Sequence, residues 1–110
     1  MEERVAVRPD GVAVVRLSGR LDMGSADLLK RRVTALVEEG HPKVAVDLTE
    51  VSFIDSSGLG ALISGLKSTR QAGGDLRIAA PNEQTRMVLS LTGMERVLPE
   101  HPDADTAFDD

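Results

Sequence analysis

The sequence predicts an α/β domain in which an N-terminal β-hairpin runs into a mostly parallel sheet packed by helices. From residue 12 onward, short segments rich in β-branched residues alternate with apolar residues at helical spacing, and this alternation favours a parallel sheet. The chain of 110 residues is long enough for one hydrophobic core, and we interpret residues 1–110 as a single domain. With two Phe and no Trp or Tyr, that core is expected to be aliphatic.

The first half of the chain supplies a hairpin, a loop and a helix. Segments 4–8 and 12–18 flank the turn signal Asp10-Gly11 and are predicted to pair as strands. A loop over 19–25 follows, and Ser25 is the predicted N-cap of the first helix. The apolar repeat of that helix consists of Ala26, Leu29, Val33, Leu36 and Val37, and Gly40 and Pro42 end it.

The second half repeats this pattern. Segment 43–48 predicts a strand, and segment 51–54 leads from it into a polar motif. The apolar repeat of Leu59, Leu62, Ile63 and Leu66 predicts a second helix that begins at Gly58 and ends before Gly73-Gly74. The remaining predicted elements are a strand over 76–81, a helix from the cap Asn82 to Gly93, a short strand over 96–98 and a terminal helix over 104–108.

The negative charge is concentrated at the C-terminus. The net charge is −5, and residues 99–110 carry five acidic residues and no Lys or Arg, which leaves a neutral body. Direct nucleic-acid binding needs a basic surface, so it is not expected. We interpret residues 99–110 as an acidic, solvated tail.

The composition also limits location and chemistry. No stretch approaches the ~20 apolar residues of a membrane span, and residues 1–11 do not resemble a signal peptide, so we expect a cytoplasmic protein without a membrane partner. There is no cysteine and no cluster of metal-binding residues, so neither a metal nor a cofactor is predicted.

The most informative segment is FIDSSGLG at 53–60, where an apolar strand ends in an acid and two hydroxyls. Residues 55–58 follow a strand, as does the loop 19–25, so both loops are expected at the same edge of the sheet, where parallel strands end. Three roles compete for the serines: they cap the second helix, one is a catalytic nucleophile, or one is modified by another protein.

Catalysis has little support in the sequence. Ser56 and Ser57 lack the G-x-S-x-G arrangement of a nucleophile elbow, and the only histidines, His41 and His101, lie in connecting segments. The glycines of the motif match neither dinucleotide-binding nor P-loop patterns. The prediction is therefore that the protein is not an enzyme, with a small hydrolase as the alternative.

Modification fits the physical chemistry of a helix start. The unpaired N–H groups and the dipole at a helix N-terminus favour an anion, so a phosphate there leaves the fold intact. It adds roughly −1.5 to −2 charges to the surface and can change binding without unfolding the domain.

The second helix also carries a stripe of small residues opposite its apolar stripe. Its members are Ser57, Gly60, Ala61, Ser64, Gly65 and Ser68. Glycine inside a helix costs roughly 1 kcal/mol relative to Ala, so a compensating role is expected. The stripe either packs closely against the rest of the chain, tolerates small residues at a surface, or forms a flat docking strip for a partner.

The motif at 53–60 resembles the signature of bacterial anti-sigma factor antagonists, the small single-domain members of the STAS group. The segments 17–22, 73–78 and 91–94 match further motifs of that family, so the resemblance covers residues 4 to 98. Arg20 is a departure, because members often carry an acid at that position. It reverses a charge on the docking edge.

The resemblance implies a partner-switching role. The unmodified antagonist binds an anti-sigma factor that is also a serine kinase, and so frees a sigma factor for transcription. Phosphorylation of Ser56 by that kinase breaks the complex, and a serine phosphatase restores it. The predicted partner-binding residues are Asp22, Met23, Ser25, Asp55, Ser57, Gly58, Gly60, Ala61 and Ser64. A STAS subunit of a transporter or of a stress-sensing assembly is the alternative within the same group.

Overall fold

The computed structural model describes residues 1–109, which contain five strands and three α-helices. The elements are β1 (Glu2–Val7), β2 (Ala13–Leu21), α1 (Ala26–Glu38), β3 (Lys43–Ile54), α2 (Ser56–Gln71), β4 (Asp75–Ala79), α3 (Glu83–Leu91), a 3-10 turn (Met94–Arg96) and β5 (Glu100–His101). Gly40 and Gly73 follow α1 and α2 with left-handed φ angles of 89° and 85°, as the predicted helix ends require.

The five strands form one sheet in the order β1-β2-β3-β4-β5. β1 and β2 are antiparallel, and the three other neighbouring pairs are parallel. The predicted hairpin and mostly parallel sheet are therefore confirmed. Since β2 and β3 run in parallel, their carboxyl ends meet at one edge of the sheet, where Leu21 lies opposite Ile54.

An aliphatic core joins the helices to one face of the sheet. Val15 and Val46 point from the strands into this core and meet Leu29 of α1 and Leu62 of α2, all without solvent exposure. The absence of aromatic side chains from this cluster of described residues agrees with the composition. Burial of aliphatic surface here is the main force that holds α2 on the sheet.

The third strand is longer than its hydrophobic pattern predicts. Segments 43–48 and 51–54 form one continuous strand, with register shifts against β2 on either side of Ser18-Gly19. Thr49, which lies between the two predicted segments, donates backbone and hydroxyl hydrogen bonds to the Asp47 carboxylate. The polar residues between the two predicted segments are therefore an irregularity within one strand, because pairing with β2 continues on both sides of them.

Two predictions near the C-terminus are wrong. Residues 96–98 are not a strand: the 3-10 turn occupies Met94–Arg96, and the last strand is Glu100–His101, which pairs with β4. Residues 104–108 form turns rather than a helix. In both places a short apolar run is fixed by tertiary contacts rather than by local propensity.

Residues 104–108 of the predicted solvated tail dock on the sheet, and Asp110 lies outside the described residues. Ala104 and Ala107 are only 3% and 1% exposed, because they cover the face of the sheet that carries no helix. The residues that they cover there are Val12, Val14, Ala45 and Ala79. Arg77 donates to the Ala107 carbonyl oxygen at 2.9 Å and stacks over the Phe108 ring at 4.5 Å.

Asp103 and Asp105 of this segment make local contacts. The Asp105 carboxylate pairs with Arg16 at 3.4 Å, and Arg8 donates to the Asp105 carbonyl oxygen. Hydrogen bonds from the Thr106 hydroxyl and backbone N–H lower the pKa of Asp103. The excess acid of the segment is thus partly used to fasten it to the sheet.

Truncation after Pro102 is expected to destabilise the domain. The truncation removes the buried Ala104 and Ala107 and uncovers apolar strand residues, at roughly 25 cal/mol per Å² of apolar surface, so we expect a loss of about 3 kcal/mol in the free energy of unfolding by urea. Asp105→Asn is the control, because an exposed ion pair contributes at most about 1 kcal/mol. An unchanged free energy of unfolding for the truncated chain would contradict the docked arrangement.

Candidate partner-binding site

The two loops singled out by the sequence lie side by side at the carboxyl edge of the sheet. The Met23 backbone N–H donates to Asp55 Oδ2 at 3.2 Å, and the Asp55 N–H donates to the Leu21 carbonyl oxygen at 3.3 Å. The prediction that loop 19–25 and residues 55–58 share an edge is confirmed. Strand β2 extends further than predicted, to Leu21, so only residues 22–25 form the turn.

Asp55, and not a serine, caps the second helix. It is the N-cap residue of α2, and its Oδ1 accepts a hydrogen bond from the Gly58 N–H at 2.9 Å. Of the three competing roles, capping by Ser56 or Ser57 is therefore ruled out. The predicted helix start at Gly58 is also wrong, since α2 begins at Ser56 and both serines lie inside its first turn. The signal was present in the sequence, because Asp is among the preferred N-cap residues.

The turn before α1 is held by its own polar groups. The Ser25 hydroxyl donates to the Arg20 carbonyl oxygen at 2.8 Å and accepts from the Asp22 N–H at 3.0 Å. Ser25 does occupy the N-cap position of α1, but its side chain makes no capping hydrogen bond. The Asp22 carbonyl oxygen instead accepts the N–H groups of Ser25 and Ala26, which fixes the turn against the start of the helix.

Gly58 permits the close approach of α2 to the end of β2. A Cβ atom added at this residue would lie 2.1 Å from the Leu21 carbonyl oxygen and 2.9 Å from Ile54 Cγ1. Any side chain would therefore push the first turn of α2 away from the sheet. The glycine after the two serines is thus explained by packing inside the chain.

Only part of the predicted partner surface is accessible. Ser56, Met23 and Gly60 are exposed, and Met23 is 81% exposed, which is high for a large apolar side chain. The partly exposed members of the predicted set are Asp22, Asp55, Ser57 and Ser64.

Three predicted partner-binding residues are buried in this structure. Ser25 is 7% exposed, Ala61 is fully buried and Gly58 is buried against Leu21. The contacts that these residues make in the structure are internal to the fold, and their predicted partner-binding role stays a prediction.

The stripe of small residues divides into a buried half and an exposed half. A Cβ added at Gly65 would lie 2.8 Å from Leu76 Cδ1 and 3.4 Å from the methyl carbons of Val33, so this half packs against β4 and α1. Gly60 has open space around it. The interpretation of close packing therefore holds for Ala61 and Gly65, and a docking strip has room only around Gly60 and Ser64.

A shallow groove runs along the exposed half of α2. It has a volume of about 450 Å³ and begins at Ser56. The other lining residues are Leu59, Gly60, Ile63, Ser64, Lys67, Thr92 and Met94. The groove combines apolar side chains, small residues and one lysine, and it places an accessible apolar surface directly beside Ser56.

Arg20 is held in a defined orientation at the same edge. Its guanidinium carbon lies 4.2 Å from the centre of the Phe53 ring, and its Nε lies 3.3 Å from Asp22 Oδ2. The side chain remains largely exposed. Its positive group is therefore held at this edge beside Asp22 and Phe53.

The histidines lie away from Ser56. His41 precedes the start of β3, whereas Ser56 follows the end of that 12-residue strand, at the opposite edge of the sheet. His101 pairs with Ala79, which lies beside Asp47 and so well before the end of β3. A serine–histidine pair for hydrolysis is therefore not formed by the described residues.

The sequence analysis did not predict one contact at the end of β3, next to Asp55 and Ser56. The Gln84 side chain of α3 makes two hydrogen bonds to the backbone of Ile54, the residue directly before Asp55. A lone Gln near a helix start carries no sequence signal for such a contact.

Comparison with known proteins identifies the class to which this arrangement belongs. The STAS domain family model matches residues 3–107. The anti-sigma F factor antagonist of Paenibacillus polymyxa is 29% identical over 90 residues, which cover 81% of this chain and 77% of the relative. The chain belongs to the STAS domain family, in the group of anti-sigma factor antagonists.

Solved structures agree with this membership. The crystal structure of an anti-sigma factor antagonist from Mycobacterium paratuberculosis superposes with a TM-score of 0.84 at 31% identity, covering 98% of this chain and 91% of that chain. The unphosphorylated form of SpoIIAA, an anti-sigma factor antagonist, has a TM-score of 0.81 at 18% identity, with 96% and 92% coverage, and so shares the fold. Within residues 1–109, no helix has both the length and the apolar character needed to cross a membrane.

Proposed function

We propose that this protein binds an anti-sigma factor while Ser56 is unphosphorylated and releases it when that factor, acting as a serine kinase, phosphorylates Ser56. A serine phosphatase then restores binding, and the cycle regulates transcription by a sigma factor. The observation that carries the proposal is the exposed position of Ser56 at the first residue of α2, next to the capping Asp55.

The helix start supports a phosphate on Ser56. The first turn of α2 contains no acidic side chain, and its N–H groups and dipole attract an anion. SpoIIAA, which has the same fold, has been solved in unphosphorylated and phosphorylated forms, so the fold accommodates a phosphate. The unfolding of the domain is therefore not required for release.

Exposure favours Ser56 over its neighbour as the acceptor. Ser56 is exposed, whereas Ser57 is partly buried one residue further into the helix. A kinase must bring its nucleotide into line with the attacking hydroxyl, which requires access to that oxygen. The more accessible hydroxyl is the better acceptor.

The surroundings of Ser56 explain why a phosphate changes binding. The site already contains the carboxylates of Asp22 and Asp55, both engaged in hydrogen bonds with the loop backbone. A phosphate adds roughly −1.5 to −2 charges beside them and at the start of the groove. A partner that fits the neutral serine closely then meets both a bulky group and an electrostatic mismatch.

The accessible residues around Ser56 outline the surface for the anti-sigma factor. Met23 offers an apolar side chain on one side, and the groove along Gly60 and Ser64 offers a surface without bulky side chains on the other. Apolar anchor residues in a closely packed surrounding are typical of the central part of protein interfaces.

Phosphorylation assays with single serine variants test the proposal. The wild-type chain, Ser56→Ala and Ser57→Ala are each incubated with ATP and the anti-sigma factor encoded in the same genome, and intact masses are measured. We expect the wild-type chain and Ser57→Ala to gain one phosphate and Ser56→Ala to gain none. Equal phosphorylation of Ser56→Ala and the wild-type chain would refute Ser56 as the acceptor.

A further inference from the structure

Within residues 1–109, no strand pairs with the end of β3 on the β4 side. Pairing between β3 and β4 stops at Asp47 opposite Ala79, whereas β3 continues for seven more residues to Ile54. Backbone groups on that side of β3 need other hydrogen-bond partners, because unpaired buried groups are costly. The start of α3 supplies partners for Ile54 and for the Ser52 carbonyl oxygen.

Two amide side chains continue the ladder beyond β4. Gln84 Oε1 accepts from the Ile54 N–H at 3.0 Å, and Gln84 Nε2 donates to the Ile54 carbonyl oxygen at 2.9 Å. Asn82, the N-cap of α3, donates from Nδ2 to the Ser52 carbonyl oxygen at 3.2 Å. Gln84 thus pairs with Ile54 through both a donor and an acceptor, as a neighbouring strand would.

The hydrogen bonds from Gln84 fix Ile54, which directly precedes Asp55 and Ser56. Ile54 is paired with Leu21 of β2 on one side and with Gln84 on the other, and its side chain is 1% exposed. Asp55 and Ser56 follow directly, so the orientation of the Ser56 hydroxyl depends on how firmly Ile54 is held.

From this geometry we infer that Gln84 is a positioning residue for phosphorylation of Ser56, an inference that rests on the proposed function. Gln84 does not touch the hydroxyl. It holds the end of β3 so that α2 starts at a fixed place and Ser56 is presented in one orientation to the kinase. Transfer of a phosphoryl group is sensitive to such placement, and an error of ~1 Å can cost on the order of a hundredfold in rate.

Gln84→Met tests the inference, because methionine keeps the length of the side chain and removes both hydrogen bonds. Gln71→Met is the matched control, since Gln71 is exposed in the last turn of α2. Two quantities are measured for each full-length variant: amide hydrogen exchange at Asp55, Gly58 and Leu59, and kcat and KM for phosphorylation by the kinase that modifies the wild-type chain.

We expect Gln84→Met to speed exchange at those amides about tenfold and to lower kcat about tenfold with KM nearly unchanged, while Gln71→Met matches the wild-type chain. Unchanged exchange, or faster exchange with unchanged kcat, would overturn the positioning role. A KM effect alone would likewise overturn it, since that points to a docking contact. If the wild-type chain itself takes no phosphate on Ser56, the proposed function fails and the positioning role fails with it. A wild-type chain that is phosphorylated at the same rate as Gln84→Met overturns this inference alone.

Discussion

Ser56→Asp is expected to bind the anti-sigma factor at least a hundredfold more weakly than the wild-type chain, while Ser56→Ala binds with nearly unchanged affinity. A new carboxylate at residue 56 that faces an acidic group of the partner ~4 Å away, at an effective dielectric constant of ~20, is repelled by about 4 kcal/mol. Each 1.4 kcal/mol is a factor of ten in affinity. The alanine variant adds neither charge nor bulk. Isothermal titration calorimetry with each variant measures the difference.

The fold of both variants is expected to remain intact. Ser56 is exposed and the capping hydrogen bond comes from Asp55, so neither variant removes a buried contact or the cap. Their melting temperatures should stay within a few degrees of the wild-type value, since surface changes usually alter stability by about 0.5 kcal/mol or less. Equal affinities of Ser56→Asp and the wild-type chain, with both folded, would refute the charge-based switch.

Gly65→Leu is expected to destabilise the protein strongly, whereas Ser64→Leu at the next residue leaves the fold intact. The space beside Gly65 is already filled by Leu76 and Val33, and overpacking a core costs about 3 kcal/mol, which corresponds to roughly 15 °C in melting temperature for a domain of this size. Ser64 lies at the groove and is partly exposed. Thermal unfolding followed by circular dichroism distinguishes the two variants.

Ser64→Leu and Gly65→Leu also distinguish a role in partner binding from a role in internal packing. Under the proposed function, Ser64→Leu weakens binding of the anti-sigma factor about tenfold without a change in melting temperature, because the leucine fills the groove. Gly65→Leu loses affinity only through loss of the folded state. A stable Gly65→Leu variant would show that the buried half of the stripe is not closely packed against α1 and β4.

The sequence was sufficient for elements with strong local signals. The β-branched strands and the helices ended by glycine follow from periodicity and turn chemistry. The apolar repeat of α2 placed its start two residues late, at Gly58 instead of Ser56. The shared edge of the two loops follows from the parallel order of β2 and β3.

The failures concern contacts between distant parts of the chain. The spacing of small residues on α2 does not reveal which half of the stripe faces α1, so the burial of Ala61 and Gly65 could not be predicted. The docking of Ala104 and Ala107 depends on an uncovered sheet face that becomes evident only once the sheet is assembled. Gln84 was missed for the same reason, since its partner Ile54 lies 30 residues away along the chain.

The most direct test of the switch compares one protein in two chemical states. The wild-type chain is phosphorylated on Ser56, divided, and one half is returned to the unmodified state by a serine phosphatase. Both halves are titrated with the anti-sigma factor by calorimetry. The proposed mechanism predicts that the phosphorylated chain binds at least a hundredfold more weakly and that dephosphorylation restores the original affinity, and equal affinities of the two halves would contradict it.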